Sequence, residues 1–82
     1  MMIINKFKNK KVLIAGGTGM VGQALVPKLR KYGAKIYIAS MDNKKLAPQG
    51  IKKFYKLDLI NINNCLKVTK KMDCVINLLG VT

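Results

Sequence analysis

The chain has no glutamate and no histidine, and its acidic side chains are only Asp42, Asp58 and Asp73 among 82 residues. Each absence removes a chemistry. Without histidine there is no Ser-His-Asp arrangement and no imidazole metal ligand, and a carboxylate pair for acid and base work must come from those three aspartates. Cys65 and Cys74 form neither a metal-ligand cluster nor a multi-bridge framework, so the expectation is no metal site and reduced thiols in a cytosolic protein. No apolar run approaches the roughly 20 residues that a membrane-spanning helix needs. The four apolar residues Met1 to Ile4 precede the first lysines, the reverse of a secretory signal. The expected protein is soluble and cytoplasmic, with no membrane partner.

What is abundant is positive charge. Sixteen lysines plus arginines give a formal net charge of +13. Such an excess marks either a surface for nucleic acid or anionic lipid, or a general bias toward lysine in a chain whose acidic remainder is missing. The lysines are spread over nearly every segment, Arg30 is the single arginine, and the aromatic residues are too dispersed to form a base-stacking platform. The second account is therefore preferred, and nucleic acid is not expected as a partner.

Half of the residues are apolar, and they fall into short runs separated by glycine, proline and asparagine. Lys11 to Ala15 has the pattern of a strand buried on both faces. Residues 16 to 19 cannot hold a regular element, and from Met20 a helical spacing begins, with Val21, Leu25 and Leu29 on one stripe, Pro27 within it and Gly33 as its C-terminal cap. Lys35 to Ser40 is a second strand. A short helix capped by Ser40 or Asp42 is expected to run to about Ala47, ended by Pro48 and Gly50. A third strand spans Ile51 to Leu57. Asn61 caps a helix that turns Ile62, Cys65, Leu66 and Thr69 inward, and Cys74 to Leu79 is a fourth strand broken at Gly80. Alternation of this kind predicts a parallel sheet, an α/β half of a doubly wound Rossmann-type fold with about four strands and three helices. Residues 1–10 read as a basic lead-in and residues 11–82 as one unfinished half-domain, the N-terminal part of a longer protein. The two cysteines read as small apolar fillers.

Gly16-Gly17-Thr18-Gly19-Met20-Val21-Gly22 lies between the first strand and first helix, where a dinucleotide-binding turn belongs. Such a turn needs glycine for a sharp bend, for close approach of a diphosphate, and for tight helix packing. Gly17 and Gly22 also have the spacing of a nucleotide-triphosphate loop, but Gln23 and Ala24 follow where that loop needs lysine and a hydroxyl. Two dinucleotide spacings remain open, Gly16, Gly19, Gly22 and Gly17, Gly19, Gly22.

Val12 to Gly22, Asp58-Leu59 with Asn61, and Val75 to Gly80 together resemble the extended and atypical short-chain dehydrogenase/reductases, the NAD-dependent epimerase/dehydratase group. The resemblance implies that Gly16, Thr18, Gly19, Met20 and Val21 contact the diphosphate, that Asp58 and Leu59 contact the adenine, and that Leu78, Leu79 and Gly80 lie along the nicotinamide-side ribose. In NAD-using members an acidic residue ends the second strand; here Ser40 stands there, with Lys44 and Lys45 close behind. The expected cofactor is accordingly NADP, with NAD through Asp42 as the alternative. The family's catalytic Tyr-x-x-x-Lys does not occur, since Tyr32, Tyr37 and Tyr55 are followed four positions on by Ile36, Met41 and Leu59. The chain is expected to bind cofactor without turnover, as part of an oxidoreductase acting on a nucleotide-sugar or similar polar substrate. The alternatives are a non-catalytic NADP-binding sensor or assembly subunit and, less favoured, a basic nucleic-acid-binding module.

Overall fold

Val12, Leu13 and Ile14 retain none of their surface in contact with solvent, because the strand that carries them is flanked on both edges and covered on both faces. In the computed structural model, which describes residues 7–58 and 61–78, four strands form one sheet: β1 (Lys11–Ala15), β2 (Lys35–Ser40), β3 (Lys53–Lys56) and β4 (Cys74–Asn77). Every pairing is parallel and the order is β3-β2-β1-β4. Val12 stands between Ile36 of β2 and Cys74 of β4, and Ala15 between Ala39 and Asn77. The alternation along a strand divides the core. Val12, Ile14, Ile36 and Ile38 pack with Val26 and Leu29 of helix α1 (Met20–Lys31), whereas Leu13 and Ala39 pack with Val68 of helix α2 (Ile62–Thr69). This is half of a doubly wound Rossmann-type sheet. Among the described residues no helix is long and apolar enough to cross a membrane.

The helix ends follow their local chemistry. Gly33 has φ +85°, and the N–H groups of Gly33 and Ala34 donate to the carbonyls of Arg30 and Leu29, the paired bonds of a glycine-terminated helix. The Asn61 side chain accepts from the N–H of Asn63 and of Asn64 at the start of α2. Between β2 and β3 only a single 3₁₀ turn forms, Lys44–Leu46, where a third helix was expected. Its cap is Asn43, not Ser40 or Asp42, and it stops because Ala47, which precedes Pro48, is held extended at ψ 145°.

Two helical faces differ from the sequence expectation. In α1 the buried residues are Gly22, Val26 and Leu29, and Val21 is exposed; the helix is turned so that its smallest residue meets the preceding loop. It also continues through Pro27, which faces solvent. In α2 the inward residue is Val68, 1% exposed, while Leu66 is 62% exposed, since positions 65, 68, 69 and 72 share a face and 66 lies about 100° away from 65. Cys74 packs half-buried against the α1-side core, in keeping with its role as filler. Strands β3 and β4 are shorter than the expected Ile51–Leu57 and Cys74–Leu79; residue 79 lies outside the described residues.

The corrected face makes a direct test. Val68→Ala should lower the unfolding free energy by about 1.5–3 kcal/mol, having removed two buried methyl groups. Leu66→Ala should change it by no more than about 0.5 kcal/mol. Urea midpoints of the two variants give the comparison, and the opposite ranking would mean that α2 faces the sheet differently.

Candidate functional site

In an open parallel sheet a ligand crevice forms at the carboxyl ends of the strands where the chain's direction of winding reverses. Here β1 has β2 on one side and β4, reached through β3 and α2, on the other, so the reversal lies beside β1. The chain leaving Ala15 turns at once: Gly16 has φ +78°, and its N–H donates to the Ala39 carbonyl at 2.8 Å. A side chain would be strained there.

The other glycines of the loop have separate reasons to be glycine. A Cβ at Gly22 would collide with the backbone of Gly17, so the first turn of α1 lies directly against the loop. A Cβ at Gly17 would press on Ile14 and Ile38 at 3.1 Å. At Gly19 it would meet only the Gly16 carbonyl oxygen, at 3.9 Å, and otherwise open space. Bend, open approach and close packing thus fall on Gly16, Gly19 and Gly22. Of the two spacings left open by the sequence, this one matches the physical roles, and Gly17 is a fourth glycine set by core packing.

Gly19 is the N-cap of α1, in an extended conformation with no side-chain capping bond, and the first turn holds no acid. The first N–H groups of any helix lack intrahelical partners, and the helix dipole adds partial positive charge there. At α2 the protein fills that role itself with Asn61. At α1 it leaves the amides of Met20 and Val21 to whatever occupies the open side of Gly19, and Met20 is 89% exposed. Such an arrangement suits a phosphate or diphosphate.

Side chains brace this bend. The Thr18 hydroxyl donates to the Asp42 carboxylate at 2.6 Å and lies 3.3 Å from the Ser40 hydroxyl, which accepts from the Asp42 N–H at 3.0 Å. Ser40 is buried, with 5% exposure, whereas Asp42 is exposed. The acidic group beside the glycine loop is therefore Asp42, two residues past the end of β2. Lys44 and Lys45 sit on the adjacent 3₁₀ turn, exposed to solvent. Gln23 bonds through Nε2 to the carbonyl of Leu46, joining α1 to that turn. Gln23 and Asn43 were not singled out from sequence as site-shaping groups; their only signal was a polar side chain beside each helical start.

The remaining positions divide. Asp58 follows β3, half-buried, and its carbonyl accepts from Asn64 Nδ2 at 2.9 Å, which places it at the carboxyl end of the sheet. Leu78 follows β4, its N–H bonded to the Ala15 carbonyl at 2.8 Å. The structure thus brings Gly16, Thr18, Gly19, Met20, Val21, Ser40, Asp58 and Leu78 to one end of the sheet. Leu59, Leu79 and Gly80 lie outside the described residues.

The division among the glycines has a measurable consequence. Gly22→Ala should destabilise the fold by about 1–3 kcal/mol, because rigid backbone opposes the new methyl. Gly19→Ala should cost less than Gly22→Ala, since its methyl points into space. Chemical denaturation of both variants measures the difference, and equal losses would contradict the assignment.

Comparison with known proteins agrees with this geometry. A family model described as the NAD dependent epimerase/dehydratase family matches residues 12–82. An epimerase from the methanogen Methanothermobacter thermautotrophicus is 30% identical, with a TM-score of 0.78 over 95% of this chain and 25% of its own. The Bordetella bronchiseptica enzyme WbmF, solved in complex with NAD+, is 23% identical, with a TM-score of 0.73 over 89% of this chain and 24% of its own. A short chain dehydrogenase from Leptospira borgpetersenii with bound NAD+ is 23% identical, with a TM-score of 0.64 over 92% of this chain and 33% of its own. The latter two likenesses concern the fold. No curated protein matches the chain significantly. The chain spans about a quarter of the length of the first two structures. With the family model matching all but its first residues, the chain belongs to the NAD-dependent epimerase/dehydratase family.

Proposed function

We propose that the chain is the dinucleotide-binding portion of a nicotinamide-dependent oxidoreductase of the epimerase, dehydratase or reductase kind, and that the bend at Gly16 to Gly22 holds the cofactor's diphosphate. The observation that carries this is the uncapped start of α1 beside a glycine whose open side would admit an anion. Residues and group fit. Backbone amides at Met20 and Val21 would bind the diphosphate oxygens beside the open flank of Gly19, the Thr18 side chain is held beside them by Asp42, and Asp58 would border the adenine. For Leu59, Leu79 and Gly80 the proposed contacts rest on the sequence resemblance alone. When bound, the nicotinamide supplies hydride transfer, and this chain's residues bind and orient it. In the whole protein the reaction would be hydride exchange with a polar substrate such as a nucleotide-sugar, aided by a Tyr-x-x-x-Lys pair that does not occur in this stretch of sequence.

For the choice between cofactors, the geometry supports NAD over the NADP expected from Ser40. Ser40 is buried and its hydroxyl is occupied within the protein. Asp42 presents the only acidic side chain on the loop that follows β2, where it would accept bonds from ribose hydroxyls and repel a 2′-phosphate. Lys44 and Lys45 would be the groups that soften that repulsion.

Fluorescence titration of NADH and NADPH tests the proposal. Saturable binding with NADH preferred is expected. Gly19→Ala should weaken NADH binding at least about tenfold, equivalent to about 1.4 kcal/mol, with the melting profile retained. Asp42→Asn should narrow or invert the preference between the two cofactors. Binding of neither cofactor by a folded chain would overturn the functional proposal, and preference for NADPH would overturn only the role given to Asp42.

A further inference from the structure

The cationic residues, scattered in sequence, are gathered by the topology. In a parallel β/α unit every helix ends, and every following strand begins, at the pole opposite the ligand crevice. The last turn of α1 and the end of α2 bring Lys28, Arg30, Lys31, Lys67, Lys70 and Lys71 to that pole. The strand starts add Lys11 and Lys35, directly opposite each other in the sheet register. Adjacent strands are about 4.8 Å apart, so these two stand side by side at that pole. Lys8 joins them, its backbone lying against Gly33 at the end of α1. Against this stands Asp73, whose carboxylate accepts from the Lys11 backbone N–H at 2.8 Å. At the crevice end, by contrast, Lys44, Lys45 and Lys56 accompany both Asp42 and Asp58.

We infer that this basic pole binds nucleic acid through its phosphate backbone, without reading sequence, at a surface separate from the dinucleotide site. Three observations select that partner. The exposed large hydrophobic residues among those described are Met20, Val21, Met41, Leu46, Leu66 and Val75. None stands at a helix end there and only Val75, the second residue of β4, lies near a strand start at the pole, so the surface lacks the apolar centre of a protein interface and the apolar face that enters a membrane. The charges are almost all lysine ammonium groups, point charges that suit phosphates but not the paired contacts that distinguish bases. Finally, an array so nearly free of acid finds its best complement in the polymer of highest anionic density, where each phosphate contact releases condensed counterions. The two cationic helix ends also offset the negative ends of the α1 and α2 dipoles, but the strand-start lysines have no such role.

The test is fluorescence anisotropy of the chain with two labelled, unrelated DNA duplexes of about 20 base pairs, at low and moderate salt. Both duplexes should bind equally and weaken steeply as salt rises. Lys31→Gln with Lys70→Gln should weaken binding about tenfold at low salt and reduce the slope of log K against log salt by about 1.8, or about 0.9 per lost phosphate contact. Lys44→Gln with Lys45→Gln removes the same charge from the opposite end and should change both quantities far less. Unchanged far-UV circular dichroism of both variants shows that folding is retained. No duplex binding at low salt, equal effects of the two pairs, or equally tight binding to polyglutamate or to phosphatidylserine vesicles would overturn the inference.

Discussion

Helix α1 reaches the exit of β1 only because position 22 carries no side chain. The contact between Gly22 and the Gly17 backbone fixes how the helix is rotated as well as where it starts. With Gly22 turned inward, Val26 and Leu29 follow it into the core, and Val21 and Met20 are left outside beside the open flank of Gly19. The same close approach aims the first amides of the helix past the bend. Packing and recognition are therefore one constraint: a methyl group at the packing glycine would move the very amides that face the crevice.

The protein treats its two helix starts in opposite ways. Asn61 satisfies the first N–H groups of α2 from within, and Asn43 does the same for the short turn after β2. At α1 no side chain does so, and the neighbouring polar groups instead hold the bend in place: Thr18 to Asp42, Asp42 to Ser40, and Gln23 to the turn at Leu46. This bracing fixes the site before a ligand arrives, which lowers the ordering cost of binding. It also places Asp42 at the mouth, where its charge bears on cofactor choice, and buries the serine at the strand's end. Meanwhile the topology removes most of the positive charge to the far pole, so the crevice is selected by local amides rather than by the protein's overall charge.

Much of the architecture was legible in the sequence because its signals were local. Short apolar runs ending at glycine marked β1 and β2, Gly33 marked the end of α1, and Asn61 marked the start of α2. The family likeness was legible in the glycine bend and its place between strand and helix. What could not be read depended on contacts between distant residues. Only the folded sheet, which sets the Ile14 and Ile38 side chains against Gly17, shows that Gly17 serves core packing while Gly16 makes the bend. Leu66 looked like a core residue by type, yet the arc facing the sheet passes through Val68. Ser40 occupied the right place in the strand, but its burial and its bond to Asp42 depend on how the following loop folds back. The lysines seemed dispersed for the same reason, since sequence order hides the fact that helix ends and strand starts meet at one pole.

The most direct measurement of the central claim is the set of backbone amide shifts of the ¹⁵N-labelled chain titrated with NADH. The account predicts saturable changes that are largest at Gly19, Met20 and Val21, with smaller ones at Asp42 and Asp58 and none at Lys31 or Lys70. Saturable changes that leave Gly19 to Val21 untouched, or that centre on the lysine-rich pole, would contradict it.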